Sequence, residues 1–313
     1  MAVADAYRAA RGIPAENVFD LGFTPTRNGL DVDTFAALKQ ALDADAGSKL
    51  QAYAISWTFP FAVTDYDAGC TMSITSAFAL GFDEKWCTHP TGGTCQSTAD
   101  DPYYASHSIA PYTDLGIRPT MMLAGADAGA ALAMIARGVA SDATYPKGDA
   151  YLVITPDATR SVREGEFMQL ARVWDGGDGV FVEVVDNSKS TVDNGSLEDA
   201  GSALFYLTGL ANVSGLSSNR YLDGAVGDSL TSFGGVLSGA GQTTVLDWLY
   251  AGLTGSYGTV HEPCNYTSKF SDPTILVPVY TAGATMIEAY WKSVQWPGEG
   301  LFVGDPLARP WGG

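Results

Sequence analysis

The chain has 313 residues, 46% of them apolar and 17% charged, which is enough for one large domain with a substantial core and is far from a disordered composition. Its formal charge of −18, from 17 basic and 35 acidic residues, excludes the basic footprint that nucleic acids and anionic membrane surfaces require. No run reaches the roughly 18 apolar residues of a membrane helix. The nearest, 121–140, is broken by Asp127 and Arg137 and reads as an amphipathic helix.

In chain order, residues 4–11 read as a helix stopped by Gly12-Ile-Pro14, and 17–21 as a first strand. A helix this early is an abrupt start for an α/β domain. It predicts that Met1 marks a trimmed chain, with a signal peptide and an edge strand missing ahead of it. Residues 33–44 place Phe35, Leu38 and Leu42 on one helical face, with Asp31 or Asp33 as N-cap. Residues 50–57 alternate into a buried strand ending at Phe59-Pro60.

Residues 61–119 show no sustained period. They read as a long irregular insertion that holds Cys70, Cys87 and Cys95. With Cys264 these make four cysteines, and none forms a Cys-x-x-Cys pair. That points to two disulfides in an oxidising compartment rather than to zinc. Of the three possible pairings, Cys87–Cys95 around a Gly-Gly loop together with Cys70–Cys264 is the favoured one, although it would remove Cys264 as a nucleophile.

From residue 126 the α/β rhythm returns. A helix is expected over 130–139, a strand over 149–155, a helix capped by Ser161 and running through Phe167, Leu170 and Trp174, and a strand over 179–185. The polar loop 186–199 fails an EF-hand template, because Thr191 stands at the glycine position and Leu197 at the closing glutamate. The central unit is 221–265. Two apolar runs, 224–230 and 253–260, flank a helical segment with Val245, Trp248 and Leu249 on one face. A strand–helix–strand crossover of this kind makes the strands parallel, and ligands of open parallel sheets bind beyond the carboxyl ends. A helix over 283–294 and a short strand over 301–303, stopped by Gly304-Asp-Pro306, complete the chain. The expected fold is a single α/β domain, a three-layer sandwich with a mostly parallel sheet covered on both faces.

The candidate chemistry lies at those carboxyl ends. Nucleophilic catalysis needs a thiol or hydroxyl beside a base. His261 and Cys264 are three apart, but Pro263 between them prevents helical geometry. Ser229 and Ser232 lack a Gly-x-Ser-x-Gly elbow. Asp228 and Glu262 make a carboxylate pair across neighbouring strand ends, suited to acid–base work or to a hard cation such as Ca2+. Asp305, in Gly304-Asp-Pro, caps a turn and is a candidate third ligand. The candidate catalytic set is therefore Asp228, Ser232, His261, Glu262 and Cys264, and the candidate metal set Asp228, Glu262 and Asp305. Neither a Walker loop nor Gly-x-Gly-x-x-Gly after a strand is present, so nucleotide binding has no support.

Several strings, taken together, are distinctive: Arg11-Gly-Ile-Pro14, the segment 224–235, 252–264 with Gly-Thr-Val-His-Glu-Pro, Glu288-Ala-Tyr290 and 304–310. In this order they resemble an uncharacterised family of secreted bacterial proteins found in genomes with the exosortase sorting system. The resemblance spans nearly the whole chain and implies a signal peptide and a strand ahead of the first helix. That family is in turn distantly similar to gingipain and other caspase-like peptidases, in which one strand ends in a histidine and the next in the nucleophilic cysteine. The resemblance thus implies a caspase-like fold. Its dyad is not matched here: Ser229 stands where relatives carry histidine, and no cysteine occurs over 254–257. The expected function is an extracellular or cell-surface protein that binds or assembles, with itself, another protein or a polysaccharide as partner. The alternative is an extracellular hydrolase that uses the carboxylates, Cys264 or a bound cation.

Overall fold

The computed structural model describes residues 2–23, 28–88 and 96–312. Helix α1 (Ala2–Arg11) opens the chain. The strand expected over 17–21 does not form: Ala15–Asn17 is a 3-10 turn, and the residues after it pair with nothing in ladder fashion. A strand exists only where a neighbour takes up its backbone groups, and no described strand pairs with this stretch. Strand β1 (Gly29–Asp31) leads into α2 (Val32–Ala46), where the Asp31 carboxylate accepts from the Thr34 amide at 2.8 Å and is the cap. Strand β2 (Tyr53–Ile55) is shorter than the alternating run that announced it.

The described part of the segment 61–119 holds more regular structure than its composition suggests. Strands β3 (Ala62–Asp65) and β4 (Cys70–Ser73) form an antiparallel hairpin, with β1 parallel to β3 on its other side. Helix α3 (Ile74–Leu80) follows, capped by the Ser73 hydroxyl, and α4 (Pro111–Leu115) comes later. Because α3 returns the chain toward β4, Cys70 and Cys87 come to a Cα separation of 5.4 Å and form a disulfide. This overturns both favoured pairings, Cys87–Cys95 and Cys70–Cys264. Cys95 lies outside the described residues, and Cys264 is itself disulfide-bonded.

Strand β5 (Thr120–Met122) occupies the start of the run read as one amphipathic helix. All three of its residues are buried, so no one-sided pattern marks it. The helix proper, α5 (Ala128–Ser141), begins only after its Asp127 cap. Strand β6 (Gly148–Ile154) and α6 (Glu164–Val173) follow. Ser161 does not cap α6; its hydroxyl instead accepts from the Thr155 amide at 2.9 Å. Strand β7 (Val180–Asp186) precedes β8 (Ala203–Thr208), which the sequence pattern does not announce. Then come β9 (Tyr221–Ser229), α7 (Val245–Ala251) and β10 (Gly255–Thr259), as expected from the central unit. Helix α8 (Pro273–Thr281) is a further unannounced element, hidden by prolines at its first turn and at Pro278. Helix α9 (Met286–Ser293) and β11 (Gly300–Gly304) end the chain.

The large sheet has eight strands in the order β2, β5, β11, β10, β9, β8, β6, β7. Strands β10, β9, β8, β6 and β7 form one parallel block, β2 and β5 pair in parallel, and β11 runs antiparallel to β10. Alternate residues serve opposite faces. Leu152, Phe205 and Val226 pack with α6, α8 and α9. Tyr151, Val153 and Tyr206 pack on the other face with Trp248 of α7. A mixed α/β sandwich with a mostly parallel sheet results.

Residues 99–105 are held through their backbone. The Asp101 amide donates to Gln295 O (2.7 Å), and the Ala105 amide to Lys292 O (2.9 Å). Asp101 is buried. One carboxylate oxygen accepts from the Tyr103 amide at 2.9 Å, while the other has no hydrogen-bond partner among the described residues. Burial pushes its carboxyl up to about 8, and the Tyr103 amide only partly offsets this. The unfolded chain loses this proton near pH 4, so stability from Asp101 is fully present below about pH 4 and is lost as the pH climbs toward 8. Between pH 5 and pH 8 the urea midpoint of the native protein should therefore fall more steeply than that of Asp101→Asn. Parallel falls in the two proteins would show that Asp101 is ionised throughout.

Candidate functional site

The central unit is built as its sequence suggests. Thr244 and Asp247 form a capping box at the head of α7, with the Thr244 amide donating to Asp247 Oδ2 at 2.7 Å. Val245, Trp248 and Leu249 are buried. Strands β9 and β10 are in parallel register, Val226 beside Gly255 and Asp228 beside Tyr257. Their carboxyl ends therefore share a rim, which the loop after β9 crosses at backbone contact distance. A Cβ on Gly258 would fall 2.5 Å from the Gly234 carbonyl carbon, so only glycine fits there. Thr259 Oγ1 lies 3.0 Å from the carbonyls of both Thr231 and Ser232, and the Gly235 amide donates to Thr259 O at 2.9 Å.

Asp228 is fully buried within β9. Arg163, at the N-cap of α6, donates to its Oδ1 at 2.7 Å, and the Ser271 hydroxyl donates to its Oδ2. Arg163 also donates to the carbonyls of Thr208 and Ser271, the latter at 3.2 Å. The carboxylate is thus neutralised and hydrogen-bonded on both oxygens, as a buried charge must be. Nearby Glu166 is held above the usual carboxylate range by burial, which the attraction of Arg163 only partly offsets.

The remaining candidates do not gather around Asp228. Ser232 is buried and enters the rim through its carbonyl. His261 is half-buried and makes no hydrogen bond to a described residue. Glu262 accepts from the Cys264 amide at 2.9 Å, folding back on its own loop. Cys264, in the left-handed region at φ 59°, is oxidised in a disulfide and offers no thiolate. Its candidacy as a nucleophile is overturned. Ser229, in the position where the resemblance implies histidine, accepts from the Leu210 amide (2.9 Å) and donates to the Leu210 carbonyl (2.8 Å), a closed clamp between β9 and the end of β8.

Asp305 lies at the opposite edge of the sheet, because β11 runs antiparallel to β10 and Gly304 stands beside Gly255 at the start of that strand. There it binds Arg11 (Nε to Oδ2, 3.1 Å) and Tyr7 OH (3.2 Å), and it accepts from the Leu307 amide at 3.1 Å, the turn cap expected of it. Burial raises its carboxyl, with Arg11 acting in the other direction. The metal set Asp228, Glu262 and Asp305 therefore cannot close on one ion. Among the described residues, no three His, Cys, Asp or Glu side chains are placed to hold a metal.

Two of the buried cations that escaped sequence reasoning stand close to this rim. Arg163 is one. The other is Lys269, fully buried, whose ammonium lies 2.9 Å from Glu299 and against the Thr88 hydroxyl. Burial lowers its basicity, and Glu299 offsets part of this. Tyr257 donates to Lys269 O at 2.5 Å, which ties this residue to the middle of β10. Neither cation carries a local sequence signal, since the partners lie 65 and 30 residues away.

A shallow crevice of about 340 Å3 opens at the carboxyl ends of β6 and β8, lined by Asp157, Ser190, Thr191, Asn194 and Asn212 among others. The chain leaves β6 toward β7 and leaves β8 toward β9, on opposite sides, so this is a topological switch point of the parallel block. No family model, curated protein or solved structure matches the chain.

Arg163→Met should cost about 3–5 kcal/mol, because it leaves Asp228 buried and unpaired. Adding Asp228→Asn should restore about half of that loss, since the charge has then gone too. Urea unfolding of the single and double variants checks this. A double variant no more stable than Arg163→Met would deny Asp228 its place as the partner of that charge.

Proposed function

We propose that this is a secreted protein of caspase-like architecture that works by binding or assembly outside the cell rather than by hydrolysis. The observation that carries this reading is the state of the rim at the ends of β9 and β10. Cys264 is closed in a disulfide, Asp228 is paired with Arg163, and Ser229 is clamped on the backbone of Leu210. A hydrolase needs a nucleophile and base that are poised and accessible. Here each candidate group already has a structural partner or stands apart from the others. The five-stranded parallel block, the antiparallel strand beside it and helices on both faces support the caspase-like reading of the fold. The disulfides support an oxidising compartment. The switch-point crevice, with its hydroxyl and amide groups, suits a neutral hydroxyl-rich ligand such as a sugar better than an ion.

A panel of fluorogenic peptides and esters should give no turnover above a heat-denatured control, and the folded protein should show no thiol reactive toward a disulfide reagent. Cys264→Ser should lower stability by about 2–4 kcal/mol, the usual contribution of a disulfide, without creating or removing any activity. Turnover that disappears in Glu262→Ala would overturn the reading and restore the hydrolase.

A further inference from the structure

The crevice at the switch point is walled by loops from three strands of the parallel block. The loop after β6 supplies Pro156 and Asp157, the loop after β7 supplies Thr191 and Asn194, and the loop after β8 supplies Leu210 and Asn212. One wall is held in a disfavoured backbone. Asp193, Asn194 and Gly195 all lie in the left-handed region, at φ 47°, 47° and 80°. Successive non-glycine residues persist there where the surroundings over-determine them, and such places cluster at ligand clamps. Here the opposite wall does this. The Asn194 amide donates to Asn212 O at 2.8 Å, and the Ser196 hydroxyl donates to Asn194 Oδ1 while accepting from the Ser214 amide, each at 2.9 Å. The floor is fixed as well. The Ser229 clamp grips Leu210, and the Thr243 amide donates to Ala211 O at 2.9 Å. The crevice is thus formed before anything enters it, which spares a ligand the cost of ordering it.

Its lining says what would enter. Thr191 and Asn212 are exposed, and their side chains make no hydrogen bond to a described residue, so a hydroxyl and an amide stand free at the edge. Asp157 is the charged side chain of the lining, and Arg160 neutralises it at 2.9 Å, so the site calls for no net charge. Pro156 and Leu210 add an apolar surface beside these polar edges. Hydroxyls around an apolar C–H face are the build of a pyranose, and a volume of about 340 Å3 is at the small end of ligand sites. We propose that the crevice is a saccharide site that takes one neutral pyranose ring, alone or as a unit of a longer glycan. Its hydroxyls meet Thr191 and Asn212, and its C–H face lies on Pro156 and Leu210. The inference rests on the reading of the protein as one that binds rather than hydrolyses, and gives that reading a ligand class, a place and contact residues.

The probes are the methyl α- and β-glycosides of glucose, galactose, mannose and N-acetylglucosamine, added to the full chain and followed by saturation-transfer difference NMR. At least one should show saturable transfer to its ring C–H protons with a Kd of about 1–10 mM, the strength expected of so small a ligand. Asn212→Ala and Thr191→Ala should keep the melting temperature and each weaken that glycoside about fivefold, the loss of one hydrogen bond. Tyr250→Ser, which removes an exposed aromatic ring outside the crevice, should leave binding unchanged. Glucuronate should bind at least about tenfold more weakly than methyl glucoside, because its carboxylate would be desolvated without a free cation to meet it. No transfer to any glycoside at about 50 mM, or transfer that survives Asn212→Ala and Thr191→Ala combined, overturns the proposal. So does tighter binding of glucuronate, which would make a charged group the ligand. Release of methanol from the glycosides keeps the two readings apart. Failure to bind without methanol removes the saccharide site alone, whereas methanol released by the chain removes the reading that it binds rather than hydrolyses.

Discussion

The ion pair between Arg163 and Asp228 is the knot on which the middle of the molecule depends. Asp228 sits inside β9 with no exposure to water, and a carboxylate there is tolerable only if a cation comes with it. Arg163 supplies that cation from the head of α6; the Nη2 that pairs with Asp228 also reaches the last carbonyl of β8, and Nη1 reaches the carbonyl of Ser271, just before α8. One guanidinium therefore fixes two strands and two helices of the same layer. Arginine suits this place better than lysine, because its planar fork satisfies several acceptors at once. A pair of this kind adds little net stability compared with an apolar substitute, but it penalises any arrangement in which α6 and β9 are out of register.

The same accounting explains why the polar groups at the ends of β9 and β10 are already engaged. The strand ends do converge, and loops cross them at backbone contact distance. What arrives is Ser229 held by Leu210, Thr259 held by the loop after β9, and Glu262 turned back on its own loop. Below them Lys269 and Glu299 neutralise one another. Perturbed ionisable groups often mark function, yet buried structural pairs perturb them equally well. The deciding property is access, and Lys269 and Glu299 have none.

The parts of the fold that were legible in the sequence are those whose signal is local. The face formed by Val245, Trp248 and Leu249, the cap at Asp31 and the turn at Asp305 can each be read within one or two turns of chain. Strands β5 and β8 were not legible, because both are buried on both faces and show no alternation. Pairing was not legible either. Nothing near Cys70 says that α3 will bring it back to Cys87, and nothing near Gly300 says that β11 will run against β10. That reversal decides the candidate site, since it carries Asp305 to the far edge and breaks up the supposed metal set. Local sequence gives the residues, whereas direction and partner come from closing the whole core.

The two ends of the sheet are treated differently. At one end β7 carries Glu183 and Asp186, with Phe181 exposed beyond its first residue, and charges on an outer strand discourage further pairing. At the other end β2 reads Tyr53-Ala54-Ile55, flanked by Ala52 and Ser56, with no charge anywhere along it. A bare edge of this sort is normally covered, shortened or charged, because unpaired backbone invites another strand. Strand β2 is short but otherwise undefended. The chain walls it with the stretch 18–21 while leaving between them a gap large enough for apolar side chains. Its shortness is what the described strand sets against further pairing, whereas β7 at the far end relies on charge.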